Sequence, residues 1–263
     1  MTAPFASLTV VAVYATLIAV AALWGAAAGL LVPRAAYRLS VEPDEAWRDS
    51  CPAGHPYTGP LRGWLGGVRC APCATAPPAP PGPGAPAVPL VTALVCALLA
   101  AATGPRPELA VWLTLVPFAV LLALIDRRVH RLPDRLTLPL AAAAALLLGP
   151  VSLLPGAAGS WPGALLGGLA LGAVYFLLFL IHPHGMGFGD VKLALSLGVV
   201  LGWYGWGVLF TGSFAGFLLG SLYGLGLIAL GRANRKTAIP FGPFMISGAF
   251  AGMLFGALAA TGG

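Results

Sequence analysis

Trp161-Pro-Gly-Ala-Leu-Leu-Gly-Gly-Leu-Ala-Leu-Gly-Ala-Val-Tyr-Phe-Leu-Leu-Phe-Leu-Ile-His182-Pro-His-Gly-Met-Gly-Phe-Gly-Asp190-Val-Lys192 is the stretch that decides the fold class. Its first part, residues 162–182, is free of charge over a length that meets the roughly 18 to 20 apolar residues a helix needs to cross a bilayer. A glycine-rich turn follows, and directly beyond it stand an aspartate and a lysine. An ionisable group at membrane depth is costly to hold, so Asp190 is a functional-site hypothesis by default.

The same apolar pattern recurs on both sides. Spans are expected at 8–32, 88–104, 109–126, 136–154, 162–182, 191–203, 206–230 and 239–260, in a chain of 263 residues that is 59% hydrophobic and 8% charged. Continuous runs favour helices, because a β-barrel shows short alternating segments instead. The expectation is an all-α polytopic membrane protein of about eight transmembrane helices with a small cytoplasmic loop module. Residues 191–203 are short for a full crossing, which leaves a spanning and a half-buried helix both open. The run Thr9–Val32 has no positively charged n-region and exceeds an h-region of about 7 to 15 residues, so it reads as a retained first span. The expected organisation is a first helix over 1–32, a cytoplasmic module over 33–75, a Pro/Ala-rich linker over 76–89 and a membrane core over 90–263. The linker's prolines remove backbone donors and preclude a regular helix, leaving a semi-rigid spacer.

The formal net charge of +6 does not point to nucleic acid, because the basic residues flank apolar runs instead of forming a basic domain. Arg34, Arg38, Arg48, Arg62 and Arg69 follow the first span. Arg127, Arg128, Arg131 and Arg135 follow the third, and Arg232, Arg235 and Lys236 precede the last. With alternating spans these clusters share one side, whereas the opposite loops carry only Arg106. The positive-inside rule makes the basic side cytoplasmic and puts both chain ends outside.

A second acid comes out on that same side, in Leu-Ile-Asp126-Arg-Arg-Val-His-Arg-Leu-Pro-Asp134. Asp126 and Asp190, brought together from separate segments, would suit an aspartyl-protease dyad, in which paired acids share a proton while activating a water. Gly187 and Gly189 are expected to supply backbone torsions and close approach that present Asp190 at a helix start. The bland reading of Asp126 is an interfacial acid paired with Arg127, Arg128 or Arg131. Asp134 reads as a cap or loop anchor for the helix beginning near Leu136. Lys192 could pair with Asp190 or anchor in lipid headgroups. His182 and His184 form a His-x-His pair, but with no further ligands nearby a local loop role is preferred. Gly212, Gly216, Gly220 and Gly224, and Gly248, Gly252 and Gly256, form stripes that suit tight packing within one copy more than a dimer interface.

Asp126 with Leu132-Pro133-Asp134-Arg-Leu-Thr-Leu-Pro139, then Met186-Gly-Phe-Gly-Asp190-Val-Lys192, then Ile239-Pro-Phe-Gly-Pro-Phe244, resembles the bacterial type IV prepilin leader peptidase family. Those membrane aspartyl proteases carry a Gly-x-Gly-Asp motif, and the resemblance covers most of 109–250. It implies that Asp126 and Asp190 are the catalytic pair and that the substrates are prepilins or pseudopilins, cleaved between a polar leader and an apolar helix. It also implies an inner-membrane enzyme whose site faces the cytoplasm and whose cleavage step needs no cofactor. Related enzymes often have an acidic residue near His184, which this chain lacks. A transporter using Asp126 and Asp190 as a proton relay is the rival from another class, although no internal repeat of the transporter kind is evident. A non-catalytic pilus assembly factor is a third reading, disfavoured by the intact acids. Oligomeric state is not encoded in any motif.

The polar module has its own chemistry. Cys51-Pro-Ala-Gly-His55 and Cys70-Ala-Pro-Cys73 could supply three thiolates and one imidazole to a tetrahedral zinc ion. Cys96 falls inside a span and reads as a small apolar residue. In bifunctional members of the family that this chain resembles, the region is a paired Cys-x-x-Cys module linked to methylation of the new N-terminus from S-adenosylmethionine. Here Gly54 stands where a second cysteine is expected and His55 comes one position late, so methyl transfer is less secure than proteolysis. Glu42, Asp44, Glu45 and Asp49 read as a solvated acidic loop.

Overall fold

The computed structural model describes residues 3–42, 45–64, 71–74, 87–183, 185–234 and 237–261. Among these there is no strand, only an isolated bridge between Ser50 and Pro56. Apart from two four-residue turns at Pro60–Gly63 and Ala71–Ala74, the helices are α1 (Ala3–Leu39), α2 (Ala87–Thr103), α3 (Glu108–Val129), α4 (Asp134–Val151), α5 (Trp161–Ile181), α6 (Phe188–Trp203), α7 (Trp206–Ala229) and α8 (Gly242–Ala259). Every expected span has its helix, and the protein is an all-α polytopic membrane protein. Six helices are long and apolar enough to cross a bilayer, while α2 has 17 residues and α6 has 16. At 1.5 Å per residue α6 is about 24 Å long, against a hydrocarbon core of about 30 Å. It begins three residues before the expected segment, so Asp190 belongs to its first turn.

Helix α1 corrects the boundary placed at residue 32. It continues for 37 residues, about 55 Å at the helical rise, and carries Arg34 and Arg38 on its last turns instead of in a loop. The helix runs through Pro33, and the Arg-Ala-Ala-Tyr-Arg-Leu that follows contains no further breaker.

The helices fall into two compact units: Met1–Pro105 with Trp112–Leu121, and Arg106–Val111 with Leu122–Gly263. In the first, α1 lies against α2 through Gly25 and Gly29. A Cβ at Gly25 would stand 2.6 Å from the Thr92 carbonyl oxygen, so only glycine permits this approach. The Trp24 indole donates to the Leu113 carbonyl oxygen of the middle of α3 at 2.9 Å. The polar segment is clipped onto the end of α1 by arginines. Arg38 donates to the carbonyls of Arg48 (2.8 Å) and Arg62 (3.2 Å) and lies 3.9 Å over the Trp64 ring, and Arg34 lies 4.7 Å over the Tyr57 ring.

In the second unit α5 packs against α6, and α7 against α8. Ser160 caps α5 by accepting from the Gly163 N–H, with Pro162 just inside the helix, a start that the sequence announces. The two glycine stripes meet each other within this copy: a Cβ at Gly252 would stand 2.8 Å from the Gly212 Cα, and one at Gly248 would stand 2.5 Å from the Gly212 carbonyl oxygen. Tight packing within one copy is therefore what the stripes do.

Candidate active site

Three helix ends in the second unit build the site. Helix α3 delivers Asp126 in its last turn, where the Asp126 carbonyl accepts the N–H of His130 at 2.8 Å. His130 takes a left-handed φ of +49°, which closes the helix and sends the chain into Arg131-Leu132-Pro133. Helix α6 delivers Asp190 from its first turn. The Asp190 Oδ2 accepts the Gly187 N–H at 3.2 Å, reaching back to the helix start as an N3 acid does in a capping box. The carboxylate thus sits at the positive end of the helix dipole.

The third component comes from the start of α8. The Gly242 N–H donates to the Asp126 Oδ2 at 2.9 Å, a buried bond across 116 positions. A Cβ on Gly242 would stand 2.8 Å from that same oxygen, so glycine is what lets the backbone reach the acid. Asp126 is 4% exposed and Asp190 8%, and the charge of Asp126 bears directly on Asp190. Each carboxylate has Oδ2 engaged by a backbone N–H, and neither Oδ1 has a hydrogen bond among the described residues. That leaves one oxygen on each acid free to engage a water or a substrate atom.

Several expectations about the neighbours change. Asp126 forms no ion pair among the described residues, whereas Arg127, Arg128 and Arg131 are exposed, so the interfacial-acid reading does not hold. Gly187 has an ordinary extended backbone, φ −72° and ψ 142°, and Gly189 is helical, so unusual torsions are not their contribution. Space is: a Cβ at Gly189 would stand 2.9 Å from the Leu132 Cβ, in the loop that follows Asp126. Asp134 is not a cap. The N-cap of α4 is Pro133, and Asp134 stands in the first turn, 2.5 Å from the Lys192 ammonium. Lys192 therefore pairs with Asp134, not Asp190, and also lies 4.6 Å over the Phe188 ring. The pair ties the start of α4 to the start of α6. His182 is exposed at the end of α5, and His184 lies outside the described residues.

A different cluster sits in the first unit. Cys51 Sγ lies 3.7 Å from His55 Nδ1 and 3.9 Å from Cys73 Sγ, and Cys73 Sγ lies 3.4 Å from His55 Nδ1. Zinc–sulfur bonds of about 2.3 Å and zinc–nitrogen bonds of about 2.0 to 2.1 Å at tetrahedral angles separate such atoms by about 3.8 Å (S···S) and about 3.6 Å (S···N). The three atoms fit that geometry without rearrangement. Gly54 explains why the displaced histidine arrives: its φ of +81° turns the chain, and Cys51 N–H closes the loop onto the His55 carbonyl at 2.8 Å. Among the described residues this is the group of His, Cys, Asp or Glu close enough to hold a metal. Cys70, the fourth expected ligand, lies outside the described residues, as do Asp44, Arg69, Arg235, Lys236 and residues 76–86 of the linker.

Two buried acids thus stand on separate helix ends in a chain of membrane-length helices. The type IV leader peptidase family model matches residues 113–229. The matched segment contains both Asp126 and Asp190, while Gly242 lies beyond it. The chain is similar to the prepilin leader peptidase/N-methyltransferase of Aeromonas salmonicida, 35% identical over 168 residues, 63% of this chain and 56% of that protein. It is also similar to proteins of the same name from Pseudomonas putida (34% over 172 residues, 62% and 56%) and Pseudomonas aeruginosa (33% over 170 residues, 63% and 56%). The chain thus spans little more than half the length of these curated relatives. No solved structure gives a significant match.

Proposed function

We propose that the protein is a membrane aspartyl endopeptidase that removes the leader peptide of type IV prepilin-like proteins at the cytoplasmic face of the bacterial inner membrane. The observation that carries this reading is the pairing of Asp126 and Asp190, buried, mutually interacting and each fixed through Oδ2 by a backbone N–H. One carboxylate, ionised, takes a proton from a water as its oxygen attacks the scissile carbonyl carbon. The other, protonated, hydrogen-bonds the carbonyl oxygen. As the tetrahedral intermediate collapses, the C–N bond breaks, the amine takes a proton from the dyad and a new carboxyl group remains. Asp126 and Asp190 are the catalytic residues in this reading. Gly187 is a positioning residue through its N–H, Gly189 through the space it leaves, and Asp134 and Lys192 through the pair between their helices.

Prepilins or pseudopilins are the substrates that the relatives' names support, and the basic residues at the Asp126 end of α3 support a cytoplasmic address. The proton-relay transporter finds no support in the family match or in the relatives. In this reading the cleavage step needs no metal or organic cofactor. Zinc held by Cys51, His55 and Cys73, with Cys70 as the fourth ligand, would act structurally in the polar module. The relatives' name includes an N-methyltransferase, and methylation of the new N-terminus from S-adenosylmethionine is the second activity that this would imply here.

The test is co-expression of the full chain with candidate prepilins, followed by mass spectrometry of the mature N-terminus. Leader loss that disappears in Asp126→Asn and in Asp190→Asn is expected, and normal cleavage by both variants overturns the dyad. An added methyl group on the new N-terminus decides the second activity.

A further inference from the structure

Tyr175 lies on α5 and is 2% exposed, yet nothing in the fold requires a hydroxyl there. Its position is fixed from two sides. Along α5, positions 168, 172 and 175 share one face. A Cβ at Gly168 would stand 2.7 Å from Val199 Cγ2, and one at Gly172 would stand 3.1 Å from Leu195 Cγ. Contacts thus descend α6 from 199 to 195 as they climb α5, and the next turn puts Tyr175 at the level where α6 begins with Asp190. From the other side, the Tyr175 ring stacks on Phe217 at 5.4 Å and lies 6.4 Å from Phe241, the residue before the Gly242 whose N–H grips Asp126. The phenol and the Asp190 carboxylate lie within each other's electrostatic reach.

The hydroxyl has no hydrogen-bond partner among the described residues. The ring is buried, but the oxygen is not among the enclosed polar atoms that lack a partner, so it opens to accessible surface instead of being sealed in the packing. Phenylalanine would fill the same aromatic cluster without placing an oxygen at that surface. The oxygen is therefore placed to engage a partner that arrives with the substrate.

We propose that Tyr175 is a third catalytic residue, whose hydroxyl donates a hydrogen bond to the oxygen of the scissile carbonyl as that oxygen gains charge beside the two aspartates. The phenol keeps its proton; no bond to Tyr175 forms or breaks. Its ring, clamped by Phe217 and Phe241, holds the donor in place before the reaction, which is the condition under which such a donor accelerates acyl chemistry. This role rests on the endopeptidase reading given above.

The full chain, purified into vesicles and supplied with a type IV prepilin that it cleaves, would be compared with Tyr175→Phe and Asp126→Asn. Tyr175→Phe keeps the stacked ring and removes only the oxygen. It is expected to lower kcat at least about tenfold, with KM within about twofold of the parent and an unchanged melting temperature. Three results overturn the proposal. If Tyr175→Phe turns over at the parent rate while Asp126→Asn is dead, the endopeptidase stands and Tyr175 is only packing. A loss that appears in KM or in the melting temperature instead of kcat also marks Tyr175 as packing. If the Asp126→Asn and Asp190→Asn variants cleave normally, the endopeptidase reading itself fails and Tyr175 loses its role with it.

Discussion

The carboxylate pair and the cysteine–histidine group both gather side chains from distant parts of the chain, but they are held by different means. Asp126 and Asp190 ride on the ends of long helices and are fixed by backbone N–H groups of Gly242 and Gly187. Cys51, His55 and Cys73 stand on loops and a four-residue turn, and their three ligand atoms lie against one another. The first site is preorganised by the helix scaffold and needs no ion to hold its shape. The second has the distances of a metal site, and an ion bridging the three atoms would be its natural fastening. Two sites held so differently should fail independently.

The largest effect tests that independence from the acid side. Asp126→Asn or Asp190→Asn should lower prepilin cleavage by about a thousandfold or more, because general acid–base work and the shared proton are both lost. Neither variant should change the metal content of the purified protein. A parallel loss of metal would show that the two sites are coupled after all. Next comes the backbone grip itself. In Gly242→Ala the new Cβ would press on Asp126 Oδ2 at 2.8 Å and Cγ at 3.2 Å. Either the α8 start or the acid must shift, and a displacement of about 1 Å at a reacting group lowers turnover by roughly a hundredfold. Steady-state kcat on a prepilin checks this, and parent-like kcat would mean that the N–H is dispensable.

From the metal side, Cys51→Ser or Cys73→Ser should abolish zinc in elemental analysis and expose the 45–64 segment to limited proteolysis. Cleavage of a prepilin should stay within about threefold, since Cys51, His55 and Cys73 belong to a compact unit that contains neither acid. A dead protease in either serine variant would break the comparison outright.

How much of this was legible in the sequence follows the same divide. Uninterrupted apolar runs located all eight helices, because the bilayer imposes length and excludes charge. Asp126 and Asp190 were legible for the same reason: they are acids at the ends of segments that otherwise exclude them. The Gly242 bond was not, since a contact across 116 positions leaves no periodicity to read; only the Ile239-to-Phe244 motif pointed there. Of the two properties expected of Gly187 and Gly189, close approach is found at Gly189 and unusual torsion at neither, because sequence shows that a side chain is missing but not whether torsion or space requires it. Tyr175 carried no signal at all, being one hydroxyl in a span where an aromatic ring is unremarkable. In the polar module, His55 looked out of register until the left-handed Gly54 was seen to turn it back.

The smallest effect concerns the link between Asp134 and Lys192, which the sequence assigned to other partners. The ammonium side chain is 15% exposed, but the carboxylate is 61% exposed, so water screens the pair despite its 2.5 Å separation. A surface pair of this kind is worth less than about 1 kcal/mol. Asp134→Asn should therefore lower the melting temperature only slightly. Lys192→Met retains an apolar stem against the Phe188 ring, 4.6 Å from the ammonium it replaces, and should be equally mild. A double-mutant cycle on melting temperature and kcat separates positioning from stability: coupling in kcat alone means that the pair aligns the starts of α4 and α6, and so the presentation of Asp190. Coupling in neither would leave Asp190 held by the Gly187 N–H and the packing of Gly189 on Leu132, making the dyad wholly a product of backbone contacts.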